Sequence, residues 1–223
     1  MKAFVSWSGG KETALAYYKV TQNRDIEIAF FLNMTSEDGK HSRSHGVRSK
    51  LLKLQANIAE KPIIQRRTTW ETYEEEFKKG ILSFKKENIQ AGVFGDIDIE
   101  GHRKWVEKVC ADMGIKAILP LWGEKREDIL MDLIQAGFEA VIVAVKTDVL
   151  DASWVGCKLN KNFIEKLKTL NNVDLCGEQG EYHTLVTGGP IFKKKIEILK
   201  AKKQHKNKRC FLDILDYEAI EKT

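Results

Sequence analysis

An apolar run leads directly into a glycine turn and a helix-forming segment in Ala3-Phe4-Val5-Ser6-Trp7-Ser8-Gly9-Gly10-Lys11-Glu12-Thr13. Residues 3–7 are typical of a buried strand, and residues 12–21 are typical of an amphipathic helix. Open α/β sheets bind ligands at the carboxyl ends of their strands, and the start of the following helix favours anions. The stretch therefore predicts a parallel sheet with a phosphate site after its first strand.

The same alternation of short apolar runs and amphipathic stretches continues along the chain and predicts the α/β class. Further strands are predicted at 26–33, from 62, and at 92–95, 117–121 and 140–145, and further helices at 47–59, 70–86, 102–113 and 126–136. After Asn160 the pattern changes to a helix, a glycine-rich loop and a hairpin formed by 194–200 and 209–217. We expect a nucleotide-binding domain at 1–122 and a smaller α+β substrate domain at 123–223.

Composition limits the function classes. The chain has 223 residues, of which 43% are hydrophobic and 31% charged, so it can bury a core. It has no apolar run of membrane-spanning length, and its four cysteines are scattered, with no C-x-x-C pair. These features predict a cytoplasmic protein with reduced thiols and no membrane segment. Trp70, Trp105 and Trp122 are predicted to pack rather than to act as stacking platforms.

The formal charge of +5 is mild and comes largely from lysines at 193–195 and in the run 200–209. Such a run is typical of a solvated hairpin or loop, and the alternative is contact with RNA or an acidic protein.

The glycine turn carries the residue types that a phosphate site needs. Two successive glycines let the backbone approach a phosphate closely. Ser8 and Thr13 add hydroxyl groups, Lys11 adds a positive charge, and Glu12 adds a carboxylate for Mg²⁺. The alternative is a plain strand-to-helix turn with Ser8 as the helix cap. The γ-phosphate loop G-x-x-x-x-G-K-[ST] and the dinucleotide motif G-x-G-x-x-G are both absent, so a different kind of nucleotide site is expected.

This turn resembles the S-G-G-x-D-[ST] pyrophosphate loop of the ATP pyrophosphatase superfamily. Glu12 stands where the superfamily has Asp, which keeps the charge but moves the carboxylate by about one bond length. The resemblance implies a sheet of the adenine-nucleotide-hydrolase type and cleavage of ATP to AMP and pyrophosphate.

Motifs in the rest of the chain resemble the diphthine–ammonia ligase family and its prokaryotic relatives. They are Arg43-Ser44-His45-Gly46, Leu51-Leu52-Lys53-Leu54-Gln55-Ala56, Gly95-Asp96-Ile97, His102-Arg103-Lys104-Trp105, Pro120-Leu121-Trp122-Gly123 and Cys176-Gly177-Glu178-Gln179-Gly180-Glu181-Tyr182-His183-Thr184-Leu185. The resemblance implies a ligase that activates a carboxylate with ATP and transfers ammonia to it, making diphthamide on translation elongation factor two. No glutaminase domain fits in 223 residues beside the two predicted domains, so free ammonia, or another amine delivered by a partner, is the expected nucleophile.

Three groups of site residues follow. Catalytic roles are assigned to Lys11, Glu12, Asp96, Glu178, Glu181 and His183. ATP is expected at Ser8, Gly9, Gly10, Lys11, Glu12, Thr13, Asn33, Met34, His45 and Gly95, with Glu12 as the Mg²⁺ ligand. The acceptor is expected at Gly177, Glu178, Gly180, Glu181, Tyr182, His183 and Thr184.

Alternatives remain for several of these residues. The Glu178, Glu181 and His183 group can also be read as a metal site or a polar turn, and Asp96 as a helix cap. His183 is either a general base or a hydrogen-bond donor to the substrate, and His45 is either a site residue or a surface polar residue.

Other functions compatible with the sequence are RNA modification, as in the thiolating and lysidine-forming members of the same superfamily, and a non-catalytic ATP sensor. For thiolation, Cys157 and Cys176 would be the reactive pair. A homodimer is also compatible with the sequence.

Overall fold

A computed structural model describes residues 1–84 and 88–222. Its first layer is a five-stranded parallel sheet in the order β3-β2-β1-β4-β5. The strands are β1 (Lys2–Ser6), β2 (Glu27–Thr35), β3 (Ile63–Arg67), β4 (Ala91–Val93) and β5 (Lys116–Ile118). Chain order reverses between β1 and β4, and ligands of open α/β sheets bind at such a switch point. The predicted α/β class is confirmed.

Helices cover both faces of this sheet. They are α1 (Lys11–Thr21), α2 (Ser49–Ile58), α3 (Tyr73–Leu82), α4 (Glu100–Asp112), α5 (Arg126–Gln135) and α6 (Lys161–Lys168). Because strand residues alternate between the faces, Phe4 and Phe30 stack on one side and Trp7 and Phe31 on the other, with ring centroids 5.5 and 4.3 Å apart. Both faces are buried, which explains the continuous apolar runs in the sequence.

The helix predicted over 70–86 is shorter at both ends in the structure. The helix begins at Tyr73, because Thr69 and Thr72 each accept a hydrogen bond from the other's backbone amide and hold a turn before it. It ends at Leu82, and Lys86 lies outside the described residues. Trp70 precedes the helix and is 65% exposed, but its ring stacks on Tyr73 with centroids 5.9 Å apart and lies 4.7 Å from Arg43 Cζ, so it packs at the surface and not in the core.

The C-terminal region forms a second, antiparallel sheet in the order β7-β6-β9-β8. Its strands are β6 (Glu139–Lys146), β7 (Tyr182–Gly188), β8 (Lys195–Lys206) and β9 (Arg209–Ile220). The predicted hairpin is confirmed but is longer, because most of the basic run lies within β8. Asn207 and Lys208 form its two-residue turn with φ of 48° and 56°, the backbone shape that two-residue hairpins favour.

Gln55 joins the two sheets. Its side chain is fully buried; its Oε1 accepts a hydrogen bond from Trp7 Nε1 at 3.1 Å. Its Nε2 donates to the carbonyl oxygens of Gly9 and Val186, at 3.1 and 2.7 Å. The Val186 amide also donates to the Gly9 oxygen at 2.9 Å. The glycine turn is therefore fixed against β7 of the second sheet.

None of the helices among residues 1–84 and 88–222 combines the length and the apolar character needed to cross a bilayer.

Candidate active site

A cavity of about 290 Å³ lies between the glycine turn after β1, the ends of β2 and β4, and the loop that precedes β7. Most of the predicted site residues line it: Ser8, Lys11, Glu12, Thr13, Asn33, Met34, His45, Gly95, Asp96, Gly177, Glu178, Gly180, Tyr182 and His183. Four predicted residues do not line the cavity: Gly9, Gly10, Glu181 and Thr184. Two motifs more than 160 residues apart in sequence thus meet in one cavity.

The glycine turn is shaped by three predicted site residues that do not line the cavity: Gly9, Gly10 and Thr184. Gly9 has a φ of +81°, which favours glycine, and its carbonyl oxygen is held by Gln55 and Val186. A Cβ at Gly10 would come within 2.5 Å of His45 Cε1. Thr184 Oγ1 accepts a hydrogen bond from the Lys11 amide at 3.0 Å. Their contribution is therefore to the shape of the turn.

The first turn of α1 has the features of an anion site. The Gly10 amide donates to Ser8 Oγ at 3.2 Å, and Thr184 Oγ1 accepts the Lys11 amide, but the Glu12 and Thr13 amides find no acceptor within the described chain. Gly95 packs closely against this turn, because a Cβ at Gly95 would lie 2.9 Å from the Thr13 nitrogen and from the Glu12 carbonyl carbon. Free amides at the start of a helix beside the cavity fit a phosphate.

Lys11 is held by groups from both sheets. Its side chain is 3% exposed, and its Nζ donates to the Cys176 carbonyl oxygen at 2.6 Å and forms an ion pair with Glu12. Nζ also lies 4.5 Å from the centre of the Tyr182 ring. Burial lowers the pKa of Lys11, but Glu12, Tyr182 and Cys176 together more than offset burial, and the pKa lies above its usual range. Lys11 is therefore a permanent positive charge in the cavity wall.

Glu12 fits a magnesium ion that is shared with a phosphate ligand. Its carboxylate lines the cavity, and the buried Oε1 makes no hydrogen bond beyond the ion pair with Lys11. No group of three His, Cys, Asp or Glu residues suited to a metal occurs within the described residues. Mg²⁺ commonly takes only one or two protein carboxylates and completes its shell with phosphate oxygens and water. The single carboxylate is thus compatible with a metal ion that is held mainly by a phosphate ligand.

The loop before β7 is organised by two carboxylates that do not line the cavity. Asp174 Oδ1 accepts hydrogen bonds from the amides of Cys176 and Glu178, at 2.8 and 3.2 Å. Glu181, which is 4% exposed, accepts from the amides of Asp174 and Gln179, at 3.1 and 3.0 Å. Glu181 therefore holds the loop, instead of facing the cavity as predicted. Asp174 was not predicted, although an aspartate two residues before a loop amide is a known turn signal.

Glu178 is the cavity carboxylate with the most perturbed acidity. Burial, followed by the negative charge of Glu12, raises its pKa to about 7, and Asp174 and Asp96 add to this while Lys11 opposes it. A carboxyl group that exchanges its proton near neutral pH suits a general acid or base.

Two histidines stack face to face at the cavity. The ring centroids of His45 and His183 are 4.6 Å apart, and His45 Nδ1 lies 3.2 Å from the Thr184 carbonyl oxygen. Burial lowers the pKa of both imidazoles, and that of His183 lies well below its usual value because the cations nearby add to the effect. A neutral, weakly basic His183 favours the hydrogen-bonding role over the general-base role.

Asp96 pairs with a histidine on α4. His102 Nδ1 lies 3.3 Å from Asp96 Oδ1, and this hydrogen bond raises the pKa of His102. His102 lines the cavity but was not assigned to the site from sequence, and the same is true of Ser42, Ser44, Tyr73 and Cys176. Ser42 carries no sequence signal, because it enters the cavity from the irregular segment between β2 and α2.

Comparison with known families agrees with this arrangement. The model described as the diphthamide synthase N-terminal domain matches residues 1–117, and the model of the C-terminal domain of the same family matches residues 125–220. The chain belongs to the diphthamide synthase family. The resemblance predicted from the motifs is confirmed.

Individual relatives in this family are named diphthine–ammonia ligases. The protein from Schizosaccharomyces pombe is 36% identical over 112 residues, covering 49% of this chain and 18% of that protein. Those from Rattus norvegicus and Homo sapiens are 33% and 32% identical over 117 and 115 residues, covering 51% and 50% of this chain and 44% and 43% of theirs. The matches thus span less than half the length of each relative.

Among solved structures, a predicted subunit of tRNA methyltransferase from Methanocaldococcus jannaschii is similar with a TM-score of 0.43 and 16% identity, over 85% of this chain and 97% of that one.

Proposed function

We propose that this diphthamide synthase family member is an ATP-dependent amide ligase whose acceptor is diphthine on translation elongation factor two. Residues 1–122 bind ATP, and residues 123–223 contribute the acceptor site. One observation carries the proposal: the S-G-G-K-E-T turn and the G-E-Q-G-E-Y-H-T segment line one cavity at the switch point of the parallel sheet.

In this proposal the N-terminal sheet binds the nucleotide. The free amides at the start of α1 and the Lys11 ammonium bind the β- and γ-phosphates, and Asn33, Met34, His45 and Gly95 line the rest of the nucleotide site. Glu12 holds Mg²⁺, which neutralises phosphate charge when bound. The acceptor carboxylate attacks the α-phosphorus, the bond to the pyrophosphate oxygen breaks, and an acyl-adenylate forms.

The C-terminal sheet completes the second half of the reaction. Glu178 in its ionised form accepts a proton from ammonium, and the ammonia nitrogen attacks the acyl carbon. The bond from that carbon to the AMP oxygen breaks, AMP leaves as the anion, and the nitrogen loses a second proton to solvent to give the neutral amide. Tyr182 and His183, which follow the turns at Gly177 and Gly180, line the acceptor's path.

The thiolation alternative has less support. It needs a pair of reactive cysteines, but Cys176 is buried and burial raises the pKa of its thiol above the usual range. Cys157 is exposed and does not line the cavity. The four cysteines are free thiols, which suits the cytoplasm that we propose as the place of action.

Product analysis tests the proposal. With Mg²⁺-ATP, ammonium and elongation factor two that carries diphthine, we expect AMP and pyrophosphate in equal amounts, and neither when any one component is left out. Cys157→Ser is expected to retain full activity, because this thiol lies outside the cavity lining. Bound ATP without AMP formation under these conditions would instead indicate a sensor or another acceptor.

A further inference from the structure

Arg126, the first residue of α5, forms a bridge between two loops. Its Nη1 lies 2.7 Å from Asp98 Oδ2, and its Nη2 donates to Asp98 Oδ1 at 3.0 Å. Its Nε lies 2.5 Å from Asp174 Oδ2 as an ion pair that lacks hydrogen-bond geometry. The planar guanidinium thus binds one carboxylate with two nitrogens and also pairs with a second carboxylate through its third nitrogen, an arrangement that the single ammonium of lysine cannot reproduce.

Each of these two carboxylates belongs to a loop that supplies a cavity residue. Asp98 lies two residues after Asp96, in the loop that follows β4. The Asp174 side chain is 11% exposed, and its Oδ1 accepts hydrogen bonds from the backbone amides of Cys176 and Glu178. The Cys176 carbonyl oxygen in turn accepts a hydrogen bond from the Lys11 ammonium. The bridge therefore lies close to three cavity side chains. Asp98 is two residues from Asp96, and Asp174 binds the backbone amides of Glu178 and of Cys176, the residue whose carbonyl oxygen binds Lys11.

Arg126 does not line the cavity itself, and the neighbouring linker supports its position. The Gly123 amide donates to the Ile97 carbonyl oxygen at 2.8 Å, and the Cys176 thiol donates to the Arg126 carbonyl oxygen at 3.4 Å. The segment that leads into α5 thus contacts the loop of Asp96 through Ile97, and the first residue of α5 contacts the loop of Glu178 through Cys176.

We propose that Arg126 is a positioning residue that sets the distance between the Asp96 loop of the nucleotide-binding sheet and the Glu178 loop of the acceptor site. Adenylation and amide formation require groups from both loops to meet one substrate, so an error in their spacing lowers turnover more than it lowers nucleotide affinity. The kinetic part of this inference rests on the proposed ligase function, whereas the bridge between the loops does not.

The kinetic test uses Arg126→Gln, Arg126→Lys and the matched control Glu127→Gln. Glu127 lies next to Arg126 on α5 but pairs with Lys168 on α6. We expect Arg126→Gln to lower kcat by about 10- to 100-fold, with the KM for ATP changed by less than about threefold. Arg126→Lys is expected to recover part of the loss, because an ammonium reaches one carboxylate, and Glu127→Gln is expected to match the wild type. Because the two partners act as a unit, Arg126→Gln combined with Asp98→Asn should cost no more than Arg126→Gln alone.

Hydrogen exchange tests the bridge without any turnover. In Arg126→Gln we expect faster amide exchange at Gly123, whose amide donates to the Ile97 carbonyl oxygen, and at 174–181, and unchanged exchange in β1 and β2. Unchanged exchange at both places, or a kcat within twofold of the wild type, would overturn the inference. A global rise in exchange that Arg126→Lys does not relieve would do so too, because it would show a general role in stability. If the wild type forms no AMP with this acceptor, the proposed function fails while the exchange result still decides on the bridge.

Discussion

Lys11→Met is expected to abolish AMP formation and to lower the free energy of unfolding by about 3 kcal/mol. Lys11 is 3% exposed and Glu12 is 15% exposed, so removing the ammonium leaves a buried carboxylate without its partner, and such losses typically cost about 3 to 5 kcal/mol. The variant also removes the hydrogen bond to the Cys176 carbonyl oxygen. Urea unfolding gives the change in stability, and the AMP assay gives the change in turnover.

A double variant separates these two effects. Lys11→Met combined with Glu12→Gln removes the unpaired charge, so we expect it to recover most of the lost stability but no activity. Lys19→Met is the matched control on the same helix. Lys19 pairs with Glu124 and Asp132 at the surface, and its loss is expected to leave AMP formation intact. Normal turnover in Lys11→Met would show that Lys11 has only a structural role.

Glu178→Gln is expected to lower kcat with ammonium by about 100-fold and to leave ATP binding intact, because general base catalysis contributes about 10² to 10⁴. The pKa of Glu178 is raised to about 7, so the ionised form that accepts a proton becomes dominant as the pH rises through about 7. In the wild type we therefore expect kcat to rise with pH through about 7 and to level off once Glu178 is fully ionised. Stopped assays at constant total ammonia, corrected for the ammonium fraction, reveal this limb, and it should be missing in the variant.

The same shift predicts an opposite effect on stability. The folded pKa of about 7 exceeds the unfolded value of 4.5, so the contribution of Glu178 to stability is present below pH 4.5 and is lost as the pH rises through about 7. Glu178→Gln removes the ionisable group, so the variant does not lose stability in this way as the pH rises. We expect the variant to match the wild type at pH 4 and to be about 1 to 2 kcal/mol more stable at pH 8, after allowance for solvent screening of a half-buried group.

Glu165→Gln provides the control for both measurements with Glu178→Gln. Glu165 is 70% exposed and pairs with Lys168 on the surface of α6, so its replacement should change neither the pH profile nor the stability difference between pH 4 and pH 8. A pH limb that persists unchanged in Glu178→Gln would assign that limb to another group.

The elements that local pattern specifies could be predicted from sequence. The glycine turn and its helix follow from residues adjacent in the chain, and the position of Gly95-Asp96 after β4 follows from the rule for strand ends. The hairpin of β8 and β9 was predicted too short, because lysines rarely signal a strand and the pairing of β8 with β9 decides its length.

Contacts across the two sheets could not be predicted in this way. Gln55 lies on the apolar face of α2, where a buried amide has no local signal until Trp7, Gly9 and Val186 are brought to it. Arg126 and Asp174 are 48 residues apart in sequence, and only the fold shows that they pair. Glu181 matches the family motif as well as Glu178 does, but the turn at Gly180 directs its carboxylate to the loop amides.

An oxygen isotope shows whether the acceptor carboxylate attacks the α-phosphorus of ATP. Diphthine on elongation factor two is labelled with ¹⁸O in its carboxylate and converted with ammonium and unlabelled Mg²⁺-ATP. Mass spectrometry of the nucleotide product is predicted to find one ¹⁸O in the phosphate of AMP for each amide formed, because the carboxylate oxygen leaves with AMP. Label in inorganic phosphate together with ADP, or AMP without label, would contradict this account of the site.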